Sequence, residues 1–190
     1  METVPRIPTL GPADALVLVD VQRDFCPGGA LAIAEGDAII PLLNAWVRAA
    51  CSGGAVVIAS RDHHPPDHMS FRTHGGPWPP HCVQGTEGAA LHPALVVPEE
   101  AIEITKGAAR EREQYSAFDG TGLAAVLRAR GVRRVWIGGL ALDVCVRATA
   151  LDALREGFSV HLVRAATRPV TPEGGEKALA ELAEAGVVIA

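Results

Sequence analysis

The stretch from Arg61 to Cys82 reads RDHHPPDHMSFRTHGGPWPPHC and carries five of the chain's seven histidines and five of its fourteen prolines. Asp62 and His64 are two apart, so in an extended chain their side chains project to the same side. His68 follows the stiffening pair Pro65–Pro66, and His81 follows Pro79–Pro80. The prolines restrict the backbone and exclude a regular helix or strand through this segment. Three imidazoles and one carboxylate suit Zn(II), Fe(II) or Mn(II) and do not suit Ca or Mg, which prefer all-oxygen shells. His63 should point away, and His74 is a less constrained alternative ligand. The plainer reading is a solvated loop rich in turn formers. The prolines, and the position directly after a predicted strand, favour the metal.

A second set of groups is scattered through the chain. Cys145 follows GGLALD, where Asp143 could cap a helix and leave the thiol in its first turn. Unpaired N–H groups and the positive end of the dipole favour an anion there, which would lower the thiol pKa and offer donors to an oxyanion. A small buried hydrophobe is the competing reading for any free cysteine. Asp20 ends an apolar strand, where a carboxylate either caps a turn or exchanges protons with a neighbour such as a thiol. Asp24 competes for that base role from four residues further along. Lys106, one of only two lysines, also ends a strand, and close to Asp20 its charge would favour carboxylate and thiolate. His92 and His161 have no motif around them, so a Cys–His–Asn set is not evident.

These groups share one rim only if particular elements place them there. Short Val- and Ile-rich runs alternate with helical patterns, which predicts a single-domain, three-layer α/β/α fold on a mostly parallel, six-stranded sheet covered on both faces. The predicted strands are 15–20, 55–60, 101–106, 133–139, 158–163 and 187–190. Helices are predicted from about residue 37, over 122–130, over 143–156 and over 171–186, the last with Thr171 as N-cap and Pro172 in its first turn. Residues 1–14 read as an N-terminal extension of a domain spanning 1–190. Ligands of open parallel sheets bind beyond the carboxyl ends of the strands. Four such ends deliver Asp20, the Asp62 loop, Lys106 and the Cys145 segment to one place.

Composition narrows the function classes. The core must be aliphatic, since 48% of residues are hydrophobic and only 4% aromatic. A formal net charge of −5 argues against a nucleic-acid surface. Cys26, Cys51, Cys82 and Cys145 show no paired spacing, which fits free thiols in a reducing, cytoplasmic setting. The first residues lack a signal-peptide pattern, and no apolar run approaches the roughly 18 residues of a membrane span. The expected partner is a small-molecule substrate, with no nucleic acid and no membrane; self-association into a homo-oligomer is left open.

Taken together, ALVLVDVQRDFCPGGALAI, SRDHHPPDHMSF, GPWPPHCVQGTEGAALHPAL, ITKG, QYSAFDGTGL and GGLALDVCVRATALDA resemble the nicotinamidases of the isochorismatase-like cysteine hydrolase superfamily. The resemblance runs from about Ala15 to Ala166. It implies a Rossmann-like sheet of six parallel strands, deamidation of nicotinamide in NAD salvage, with acceptance of pyrazinamide, a catalytic triad of Asp20, Lys106 and Cys145, and metal ligation by Asp62, His64, His68 and His81. It further implies a ring sandwich of Phe25 and Trp78, a pocket position for Tyr115, and a cis peptide at Leu140–Ala141 that aims the Ala141 N–H at the substrate oxygen. Two departures stand out: Leu142 where relatives carry Thr or Ser, and the approach REREQ (110–114) to the Tyr-Ser pair. Three rivals remain: a relative acting on another small amide, carbamoyl or vinyl-ether substrate, a hydrolase using metal hydroxide, and a non-catalytic metal or thiol module.

Overall fold

A computed structural model describes residues 7–190. The expected strands and helices all form, in chain order β1 (Asp14–Val19), α1 (Ile40–Gly53), β2 (Val56–Asp62), β3 (Ile102–Lys106), α2 (Leu123–Ala129), β4 (Arg134–Leu140), α3 (Arg147–Arg155), β5 (Ser159–Arg168), α4 (Pro172–Ala185) and β6 (Val188–Ile189). They build one six-stranded sheet of order β3-β2-β1-β4-β5-β6 in which every pair is parallel. All six residues of β1 are buried, as a central strand covered on both faces must be. Its side chains alternate accordingly. Ala15, Val17 and Val19 join Leu127, Val146, Ala150 and Leu182 in one core. Leu16 and Leu18 join Leu43, Trp46 and Val47 of α1 in the other.

Two strands are longer than their apolar runs suggest. β2 continues through Arg61 and Asp62, because β3 pairs with it as far as Asp62–Lys106 and the first proline comes only at Pro65. Asp62 is therefore fixed by a ladder and not by a loop. β5 extends to Arg168 through an irregularity in its pairing with β4 between Ile137 and Gly139, which the polar-looking RAATR gives no reason to expect. Of the predicted N-terminal extension, residues 1–6 lie outside the described residues. Leu10 is buried in the core, and Asp14 already belongs to β1, its carboxylate accepting the Gly11 N–H at 2.8 Å.

The strand order reverses beside β1, between its connections to β2 and β4, and this is where an open α/β sheet leaves a crevice. Asp20 follows β1 there, and the segment 140–145 follows β4.

Candidate active site

The first group to meet is a buried quartet. Lys106, 1% exposed, ends β3 and points its ammonium at Asp20 Oδ2 (2.7 Å), Asp62 Oδ1 (2.5 Å) and Cys145 Sγ (3.4 Å). Asp20 is fully buried and adopts φ 48°, a left-handed conformation that Asp tolerates better than most side chains. Its N–H donates to the Ser60 carbonyl, and its Oδ1 accepts from Ser60 Oγ at 2.7 Å. Its Oδ2 is ion-paired with the Lys106 ammonium.

Electrostatics separates the two carboxyls. For Asp20, burial is the largest influence and, with the neighbouring Asp62 charge, raises its pKa despite Lys106. For Asp62, burial pushes the same way, but Lys106 and the adjacent His64 outweigh it and hold the carboxyl well below the usual range. Lys106 is raised, because Asp20, Asp62 and Cys145 together overcome its burial. The Cys145 thiol is raised as well, by burial first and then by the two carboxylates, against the pull of Lys106. The expected lowering of this thiol is therefore corrected: the sequence does not reveal that two carboxylates face it. A neutral thiol needs a base, and the raised carboxyl of Asp20 stands beside it.

Cys145 sits in a wide turn. Residues Leu142–Val146 form a π-helical opening to α3, with the Ala141 carbonyl accepting from the N–H groups of both Val144 and Val146. Single π turns recur at functional sites. Asp143 does not cap this helix, contrary to expectation. The cap position is Ala141, and the Asp143 carboxylate accepts instead from the N–H groups of Val170 (2.8 Å) and Thr171 (3.4 Å), tying the start of α4 to the same corner. The peptide Leu140–Ala141 is cis, and the Ala141 N–H has no acceptor among the described residues.

Three of the predicted metal ligands converge. Donor atoms of Asp62, His64 and His81 all lie within 4.8 Å of one another, and all three residues are buried. His64 Nδ1 donates to the Gly107 carbonyl (2.9 Å) and His81 Nδ1 to the Pro79 carbonyl (2.7 Å). A carbonyl only accepts, so each Nδ1 carries the proton and each Nε2 keeps a lone pair, the arrangement of ligating histidines. His64 Nε2 lies 3.7 Å from Asp62 Oδ2. Gly107, at φ 63°, is required here, because a Cβ would strike the His64 ring. This donor set fits a divalent transition metal.

His68 behaves differently. It stacks on His64 with ring centroids 4.2 Å apart, but its Nδ1 meets Ser70 Oγ (2.7 Å) and its Nε2 meets the Arg112 carbonyl (3.0 Å). Both nitrogens are engaged, and the structure does not bring His68 into the converged set. His63 is half-buried and away from the cluster, while His74 is exposed against Thr73.

Asp62 and Cys145 of the quartet, with His81, border one pocket of about 430 Å³, part of it open to solvent, which also takes in Phe25, Trp78, Tyr115, Ala141 and Val144. Phe25 packs against the His81 ring (5.5 Å), and Trp78 Nε1 donates to Tyr115 Oη (3.2 Å). Leu142 is buried in the core and does not line the pocket among the described residues. The unusual 110–114 segment lies over the histidine loop, with the Arg110 and Arg112 carbonyls accepting from Met69 N–H and His68.

Asp24 is no rival base. Its carboxylate accepts from the N–H groups of Cys82 (2.7 Å) and Ala30 (3.1 Å). Two residues escaped the sequence reading. Gln22, fully buried, donates to the Asp62 and Ala89 carbonyls and accepts the Asp62 N–H, so one amide brackets the Asp62 backbone. Phe71, fully buried, touches the His64, His68 and His81 rings with centroids 5.6–5.8 Å away. An uncharged polar residue two positions after a strand-end acid was the only available signal for Gln22.

A buried thiol, two carboxyls and an ammonium at the switch point of a parallel sheet, beside a histidine–carboxylate cluster, define a hydrolase-type site in an α/β/α protein. The Isochorismatase domain family matches residues 14–190, and the chain belongs to that family. It is 40% identical to the nicotinamidase/pyrazinamidase of Mycobacterium tuberculosis over 181 residues, covering 91% of this chain and 96% of the relative. Among solved structures, the pyrazinamidase of Pyrococcus horikoshii in complex with zinc is 51% identical with a TM-score of 0.92, covering 94% of this chain and 99% of that one. PnC1 from L. infantum in complex with nicotinate is 42% identical with a TM-score of 0.89, covering 96% and 95%.

Proposed function

We infer that this protein is a nicotinamidase, a metal-dependent cysteine amidohydrolase that converts nicotinamide to nicotinate and ammonia in NAD salvage and also accepts pyrazinamide. The observation that carries the reading is the pocket itself: Cys145, Ala141, Asp62 and His81 border it together with the aromatic residues Phe25, Trp78 and Tyr115. A flat pyridine amide fits between these walls. A cytoplasmic location agrees with four free cysteines, and no helix among the described residues is long and apolar enough to cross a membrane.

Asp62, His64 and His81 would hold the ion, and His68 could join them only by releasing the Arg112 carbonyl. Zinc suits this set, and Fe(II) and Mn(II) share the preference for imidazole and carboxylate. Such an ion supplies a Lewis-acid position for the ring nitrogen and so orients the substrate. The chain's own residues perform the bond changes. Asp20 takes the proton of Cys145 as sulfur attacks the carboxamide carbon. The Ala141 and Cys145 N–H groups receive the developing oxyanion. Asp20 returns the proton to the departing nitrogen, which leaves as ammonia and a thioester remains. Water, deprotonated by Asp20, then attacks the thioester, releasing nicotinate and restoring the thiol. Phe25 and Trp78 hold the ring so that reacting atoms start about 3–3.5 Å apart, where positioning contributes most.

The test is Cys145→Ala. Ammonia release from nicotinamide should disappear, and mass spectrometry of the wild-type protein quenched during turnover should find nicotinoyl on Cys145. Activity of the variant near the wild-type rate would rule out the covalent route and favour the metal-hydroxide rival.

A further inference from the structure

We propose that Asp24 is a positioning residue that locks the apolar wall of the pocket to the histidine loop, through a carboxylate strut for which only glycine at position 88 leaves room. Asp24 precedes Phe25 in a short 3-10 turn, Arg23–Phe25. One carboxylate oxygen accepts the Ala30 N–H, and the Asp24 carbonyl accepts the Leu31 N–H at 3.0 Å. Asp24 thus organises the segment that supplies Leu31, Ala32 and Ile33 to the pocket. The other oxygen accepts the Cys82 N–H at 2.7 Å, across 58 residues of chain.

Cys82 makes this contact consequential. It is fully buried and holds φ 46°, a left-handed conformation rare for a side chain of its kind. Its N–H is fixed by Asp24, and its carbonyl accepts the His64 N–H at 2.9 Å. Unusual backbone of this sort persists only where its surroundings determine it. The two bonds flank Cys82 and thereby set the direction of its neighbour His81. Without Asp24, the Cys82 N–H is a buried donor with no acceptor, and the turn has lost one of its two anchors.

Gly88 is the second observation. A Cβ there would overlap both carboxylate oxygens of Asp24, while the backbone of Gly88 lies outside the left-handed region. Alanine is therefore acceptable to the backbone at 88, and its conflict is with Asp24. The segment cannot retreat, since Arg23 N–H donates to the Ala90 carbonyl (3.0 Å), His92 N–H to the Val21 carbonyl (2.8 Å) and Gln22 Nε2 to the Ala89 carbonyl (2.9 Å).

The proposal rests on the reading of His81 as a metal ligand, and the experiment separates the two. Zn(II) affinity of the metal-stripped protein is measured by chelator competition, with KM and kcat for nicotinamide at saturating zinc. Asp24→Ala should weaken zinc by about tenfold, the low end of the effect of losing a group bonded directly to a ligand, because Asp24 reaches His81 through the Cys82 backbone, and should raise KM more than it lowers kcat. Asp24→Asn, which keeps one acceptor oxygen, should fall between it and wild type. Gly88→Ala should reproduce the loss with Asp24 intact, yet add less than twofold in the Asp24→Ala background, because its clash partner is gone. Zinc affinity and KM within twofold of wild type in Asp24→Ala would overturn the proposal. So would an undiminished Gly88→Ala effect in the double variant. If Asp24→Ala fails to fold, unchanged zinc affinity in both Asp24→Asn and Gly88→Ala overturns it equally. His81→Ala is the control. Tight zinc binding in that variant defeats the ligand reading and this proposal with it. Zinc lost there but retained by the Asp24 and Gly88 variants defeats the strut alone.

Discussion

Lys106→Met and Asp20→Asn should separate the stability of the buried quartet from its chemistry. In the native site, two carboxyls flank one ammonium at 2.7 and 2.5 Å. Asp20→Asn leaves Lys106 and Asp62 as a neutral pair, with Ser60 Oγ still able to donate to the amide oxygen. The variant should therefore fold with a stability change within about 1 kcal/mol. Lys106→Met leaves two carboxylates buried together without a counter-charge. Their oxygens and the thiol lie within 4.8 Å of one another. At that distance two unit charges repel by about 3.5 kcal/mol at an effective dielectric of about 20, close to the roughly 3–5 kcal/mol found when one partner of a buried ion pair is removed. For a chain of this length each kcal/mol moves the melting temperature by about 2–4 °C, so Lys106→Met should melt about 6–20 °C below wild type. Activity should follow a different order: Asp20→Asn should lose at least the roughly 10²–10⁴-fold owed to a general base while melting normally. Thermal melts on metal-stripped protein and ammonia release at saturating nicotinamide read the two effects. A Lys106→Met protein melting within 2 °C of wild type, as an order of magnitude of assay error, would refute the charge argument. Asp20→Asn retaining more than about a tenth of the activity would refute the assignment of the base.

Other consequences can be measured directly. Trp78→Ala should raise the KM for nicotinamide by about 2–12-fold, the equivalent of one aromatic contact of about 0.5–1.5 kcal/mol, whereas Tyr115→Phe, which removes only the acceptor of the Trp78 indole, should change it by no more than about twofold. Metal analysis after gel filtration should find His64→Ala devoid of stoichiometric zinc and the neighbouring His63→Ala indistinguishable from wild type; the same loss in both would disprove the assignment of alternate faces. Asp14 gives a pH test remote from the site. Burial pushes its carboxyl up, but hydrogen bonds from Arg134 and the Gly11 N–H outweigh that and hold it below the usual range. A carboxyl depressed on folding contributes stability that is complete above its unfolded pKa near ~3.9 and is lost as pH falls through the folded value. Asp14→Asn should cost about 1–2 kcal/mol near neutrality, modest because Arg134 is 40% exposed. The melting difference from wild type should shrink as pH falls below the ordinary carboxylate range; a gap that stays constant on acidification would contradict the depressed carboxyl.

The chain's pattern made some of this legible and hid the rest, for physical reasons. β1 was readable because a central strand buried on both faces has to be apolar throughout. Asp62, His64 and the Cys145 turn were readable because strand ends in a parallel sheet all face one crevice. The last residues of β5 were not, because RAATR joins the sheet through backbone pairing after an irregularity, and backbone pairing leaves no hydrophobic signature. Asp143 looked like a helix cap, since spacing records only its own turn and not the α4 N–H groups brought to it by the fold. Gln22 and Phe71 were missed because their importance lies in what they touch across tens of residues. Asp24 stayed a competitor of Asp20 for the same reason: its place beyond the strand end counted against it, but only the partners of each carboxylate separate their roles.

The thiol illustrates how such partners decide a mechanism. A helix start taken alone argues for a lowered cysteine pKa, and Lys106 at 3.4 Å argues the same way. Both are outweighed, because the thiol is buried and faces two carboxyls that share one ammonium. Lys106 holds Asp62 down, with help from His64, and leaves Asp20 raised. Environments that drive two like groups apart separate their roles: under the proposed mechanism Asp62 stays anionic and suits a cation, while Asp20 exchanges protons. In the free protein a neutral Cys145 avoids adding another negative charge to that cluster. Sulfur need release its proton only as a carbonyl carbon accepts the electron pair and backbone N–H groups accept the oxyanion. In the proposed mechanism deprotonation is thus coupled to the presence of a substrate, and a buried thiol with a raised pKa is compatible with nucleophilic catalysis because Asp20 stands ready to accept its proton.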